Sequence, residues 1–145
     1  MKDDLERDYD LEGLVKLLVR PLVAQLDDPD GGAAYLLVVA DLVTSRSFPL
    51  LEMPATSAPG ILALTSAMQR RMDSFPAHLT ALRMMRVAAA LYCSIADYHR
   101  LTTAGMPIPR EDFTADLIAS LVGLLQQRAP KPPALPKTAR ARKRG

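Results

Sequence analysis

Val87-Ala88-Ala89-Ala90-Leu91-Tyr92-Cys93-Ser94-Ile95-Ala96 carries no charged side chain. Aromatics make up 5% of the chain and Trp is absent, so Leu, Val, Ala and Met must build the interior. Such a core suits helices better than sheets, because β-branched and aromatic residues do not lead. Read as helix, the stretch is close to apolar on every side, and a helix without a polar face must be covered all round. A chain of 145 residues covers one side easily. The other side needs a partner, so an oligomer is expected.

Working outward, Ser74 and Pro76 announce the helix that holds this stretch, and Gly105 with Pro107 ends it, giving a fourth helix over about 76–103. A fifth begins near Glu111 or Asp112 and runs to about Arg128. Its Phe113, Leu117, Ile118, Leu121, Val122, Leu124 and Leu125 cover about half the circumference at 3.6 residues per turn. Asp116, Ser120, Gly123 and Gln127 share the opposite face. Upstream, Leu11, Leu14, Leu18, Leu22 and Leu26 recur at helical spacing behind Asp10, a suitable N-cap. Pro21 predicts a kink or break in that first helix. Residues 27–32 form a turn by composition, a second helix covers about 33–46, residues 47–57 read as a loop, and a third helix runs from Ser57 to about Asp73.

The charge divides unevenly. Residues 1–128 hold all 16 acidic residues and 12 of the 18 basic ones, a net of −4. The remaining six basic residues stand in 129–145 among Pro130, Pro132, Pro133 and Pro136, which predicts a disordered basic tail. The division is therefore a lead-in over 1–9, an all-α domain over 10–128, and the tail. The high overall pI belongs to the tail and gives no reason to read the domain as DNA-binding.

Chemistry is sparse. Cys93 is the single cysteine, so no intramolecular disulfide can form and a reducing compartment fits. The acidic, polar N-terminus does not read as a signal peptide. The charge-free apolar stretches 31–40 and 87–96 fall short of the roughly 20 residues of a membrane span. A soluble, cytoplasmic protein without membrane contact is expected. His78 and His99 lack any metal-ligand spacing, Cys93 has no base at nucleophile distance, and Gly31-Gly32 lacks the rest of a phosphate loop. No enzyme, metal or cofactor is expected. Cys93 reads as a small buried hydrophobe, and Asp97, His99 and Arg100 as a solvated or interface-edge cluster.

Met68, Met72, Met84 and Met85, with Phe75 between them, either fill the core or line a pocket for varied apolar molecules. Tyr35 and Tyr92 join them as candidate lining. Arg83 and Arg86 flank the methionine pair and read as surface residues.

Leu18-Val19-Arg20-Pro21-Leu22, then Asp28-Pro29-Asp30-Gly31-Gly32-Ala33-Ala34-Tyr35-Leu36, resembles the start of the C-terminal domain of TetR-family (tetracycline-repressor-like) regulators. Phe113-Thr114-Ala115-Asp116-Leu117 through Leu121-Val122-Gly123-Leu124-Leu125 is similar to that family's last helix. The resemblance spans about residues 11 to 128 and rests on helix order and short phrases. It implies an effector-binding, homodimerising domain of a transcriptional regulator, with the effector inside each domain. The nine residues before Asp10 are too few for the family's helix-turn-helix, so no sequence-specific DNA binding is expected. The last two helices of each copy would pack as a four-helix bundle through Val87, Ala90, Leu91, Phe113, Leu117, Ile118, Leu121, Val122 and Leu125. The alternative is a stand-alone helical interaction protein that pairs with a full-length relative without binding DNA itself.

Overall fold

The computed structural model describes residues 9–45, 59–72 and 75–128. These residues form five α-helices and one 3-10 turn, and no strand occurs among them. The all-α expectation holds. The expected loop over 47–57, residues 1–8 of the lead-in and the expected tail over 129–145 lie outside the described residues.

Helix α1 (Leu11–Ala24) starts where the Asp10 carboxylate accepts the Gly13 N–H at 2.7 Å, satisfying one of the donors a helix start leaves open. Its Leu14, Val15, Leu18, Val19 and Val23 are buried. Of the kink or break expected at Pro21, the break does not occur. The helix runs on to Ala24 with Pro21 exposed, then tightens into the 3-10 turn Gln25–Asp27. An exposed proline loses one backbone bond without leaving a buried carbonyl stranded, so the helix survives it.

The turn into α2 (Gly32–Thr44) needs both of its glycines. Gly31 sits at φ +104°, and a Cβ on Gly32 would lie 2.0 Å from the Gln25 carbonyl oxygen. The short helix α3 (Pro59–Arg70) contributes Ala67 and Met68 to the core.

Helices α4 (Ala77–Thr103) and α5 (Arg110–Gln126) form a hairpin. Gly105, at φ +91°, ends α4: its N–H donates to the Thr102 carbonyl while the Met106 N–H donates to that of Leu101, both at 3.0 Å. Across the turn the rings of Tyr98 and Phe113 stack with centroids 4.2 Å apart and 13° between planes. Helix α5 packs on both α1 and α4, and α2 packs along α4. Arg110 ties the start of α5 to the turn after α1 through a two-pronged pair with Asp27, one prong measuring 2.8 Å. Leu14, Val19, Leu36, Met68, Leu91, Ile95 and Leu121 close the centre.

Candidate functional site

Helix α5 buries Leu117, Ile118, Leu121 and Leu125 at 4%, 6%, 0% and 3% exposure, and α4 buries Val87 and Leu91 at 2% each. These six residues were expected to meet a second copy. In a single chain these six are already buried in the core, and Ala90, Phe113 and Val122 of the nine remain partly exposed. The sequence pattern found the apolar half of α5 and could not tell an inward face from an interface, because both demand the same spacing.

What α4 leaves outside is a different face. Leu82 is 48% exposed and Met85 42%, with Arg86, Ala89, Cys93, Asp97 and Arg100 continuing along the same side. The most apolar 18-residue window of α4 has a mean hydropathy of 1.3, yet only 28% of it is buried. By length and composition α4 is long and apolar enough to cross a membrane, although its charge-free stretch 87–96, bounded by Arg86 and Asp97, is short. Arg83 explains its own presence. It is 7% exposed, its guanidinium donates to the Leu125 carbonyl at 3.3 Å and to that of Gln127, and it stacks 3.8 Å over the Phe75 ring. Read from sequence as a surface residue, Arg83 instead caps the end of α5. Its i, i+4 step to buried Val87 was the signal that placed it on the inner side of α4.

A polar cluster sits at the other end of this outer face. Arg100 pairs with Asp97 at 3.3 Å and with Asp41 of α2 at 3.9 Å, so two carboxylates share one guanidinium. Cys93 is half-buried rather than fully buried. Burial and the nearby Asp97 raise its thiol pKa, and Arg100 opposes the rise.

Among the described residues, the seven candidate ligand residues stand in different surroundings. Met72 and Phe75 line a recess of about 360 Å³ with Gln69, Ala77, Thr80 and Ala81. Met68 is sealed in the core at 0% exposure, whereas Tyr35 at 51% and Met85 face solvent. Met84 and Tyr92 pack against the core from its edge. Burial raises the Tyr92 pKa, with Tyr35 adding to the rise. A second hollow was not foreseen: an open groove of about 930 Å³ between α1 and α5. Val23, Ile118 and Val122 are among its apolar lining, and Lys16, Arg20 and Arg110 stand with Glu12 and Glu111 among its charged residues. The four-residue steps Glu12, Lys16, Arg20 and Ala115, Ala119, Gly123 were its trace in the sequence. Among the described residues no three His, Cys, Asp or Glu side chains are grouped to hold a metal ion.

Compared with family models, with curated proteins and with solved structures, the chain matches none.

Proposed function

We propose that this chain is the homodimerising, effector-binding domain of a TetR-like transcriptional regulator. The observation that carries the reading is α4 itself, whose most apolar 18-residue window has a mean hydropathy of 1.3 with 28% of it buried. A helix of that composition requires cover. A membrane is the poorer cover, because the same helix spends its inner side on Tyr98, Ile95, Leu91 and Val87 and anchors Arg83 on the carbonyls of α5. In this reading two α4–α5 hairpins, one from each copy, form the interface. The contact surface is the outer face of α4, not the six buried residues named above.

The effector half of the proposal rests on the recess at Met72 and Phe75. Its apolar wall suits a small apolar molecule, and Gln69 and Thr80 offer it polar contacts. The proposal gives the described helices no role in reading bases, which needs an element placed in a groove. The basic residues of 129–145 give only weak polyanion binding that falls steeply with salt and is lost when they are deleted.

A fusion tests the reading. The chain is placed behind an operator-binding module that represses only when dimerised. Repression equal to that given by an established dimerisation domain supports the proposal. Absence of repression from a stably expressed fusion contradicts it.

A further inference from the structure

We infer that two copies of this chain pack α4 against α4 in antiparallel register, each Arg86 on the other copy's Asp97, with Cys93 beside the two-fold axis. The inference rests on the proposed homodimer and fixes its geometry.

Leu82, Arg86, Ala89, Cys93, Asp97 and Arg100 follow one another at steps of three and four residues. They therefore form one seam along α4. The seam lies opposite Val87, Leu91 and Ile95, which are 2%, 2% and 0% exposed. Much of it is open: Leu82 is 48% exposed and the Asp97 and Arg100 side chains are 66% and 55% exposed, while Ala89 and Cys93 are half-buried and Asp41 of α2 reaches Arg100 at one edge.

Charge sets the direction. At one end, Asp97 and Asp41 share Arg100, leaving one negative charge in excess. At the other, Arg86 is exposed and makes no ion pair among the described residues. The two ends are eleven residues apart, about 16 Å along the helix. A parallel pairing sets Arg86 against Arg86 and the acidic clusters against each other. An antiparallel pairing satisfies both ends at once, and a two-fold axis makes the match twice with the same two residues.

Size sets the spacing. The middle of the seam is Ala89 and Cys93, small enough for two helix axes to approach to about 8 Å. The midpoint between Arg86 and Asp97 falls within about 2 Å of Cys93 along the axis. Val38, one turn before Asp41 on α2 and 56% exposed, adds apolar area at the flank. Outer α5 offers less, since Asp112, Asp116, Ser120 and Gln126 are polar.

Cys93 is the chain's single cysteine, so a disulfide between copies can join only Cys93 to Cys93. Diamide oxidises the intact protein at low micromolar concentration: the two thiols give up two protons and two electrons, and diamide is reduced to its hydrazine. The register predicts near-complete disulfide dimer, unchanged by tenfold dilution while the protein sediments as a dimer. A sedimenting dimer that does not cross-link overturns the register and leaves the homodimer standing. A monomer that does not cross-link overturns both. Charge exchange is the second arm: Arg86→Asp and Asp97→Arg each weaken the dimer about tenfold or more, and the two together restore it to within about threefold. Failure of the double exchange to recover affinity rejects the paired charges.

Discussion

Arg83, in the second turn of α4 on its inner side, donates to the main-chain carbonyl of Leu125 at the end of α5, 3.3 Å away. The last carbonyls of a helix have no partner within it, and a cation there satisfies them and opposes the negative end of the helix dipole. Arg83→Met keeps the apolar stem and removes the guanidinium, including its contact with Phe75. The expected loss is about 2 kcal/mol in urea denaturation, with faster amide exchange confined to the last turn of α5. Unchanged exchange at Leu124 to Gln126 would show that the cap does not hold that turn.

The Arg110 guanidinium holds the Asp27 carboxyl below its ordinary value of 3.8. A carboxyl depressed in the folded state stabilises it above the unfolded value, and that contribution disappears as pH falls through the folded value. The urea midpoints of the unmodified protein and Asp27→Asn should therefore differ by a constant amount above about pH 5. The gap should close in more acidic solution. A gap that persists at pH 2 would mean the substitution acts through something other than the ion pair.

Gly32 is the tightest glycine in the fold. Gly32→Ala drives a methyl group into the Gln25 carbonyl oxygen and should cost about 3 kcal/mol. Gly31→Ala meets open space but must hold a left-handed backbone, so it should cost about 1–2 kcal/mol. Thermal melts of the two variants rank these costs. A milder Gly32→Ala would contradict the close approach of α2 to the turn.

Leu121 is 0% exposed in the single chain. Leu121→Glu places an unpaired charge in that core at a cost of roughly 4 kcal/mol. It should therefore unfold the chain rather than merely split a dimer. Arg86→Asp, on the exposed seam, should dissociate the dimer while keeping the far-UV dichroism of the folded helices. A folded, monomeric Leu121→Glu protein would return the interface to the inner face of α5.

The helices were legible because spacing, caps and breakers act locally. Asp10, Gly105 and the apolar period of α5 each name their element within a few residues. The site was less legible because facing is a tertiary property. Leu117, Ile118 and Leu121 have the same sequence signature whether they meet α1 or a second copy, and only the placement of α1 decides it. Arg83 and Arg86 stand three residues apart with the same charge and only about 60° apart around α4, yet Arg83 is buried on Phe75 and the end of α5 while Arg86 is exposed, because those tertiary neighbours reach only the first of them. The methionines scattered for the same reason: Met68 and Met85 share a chemistry, and their helices turn them to opposite environments.

Sedimentation velocity of the unmodified chain at low micromolar concentration tests the central claim most directly. The account predicts a single dimeric species, held by the outer face of α4 and by the two Arg86–Asp97 pairs that the antiparallel register makes. A single monomeric species with α4 still folded would contradict it.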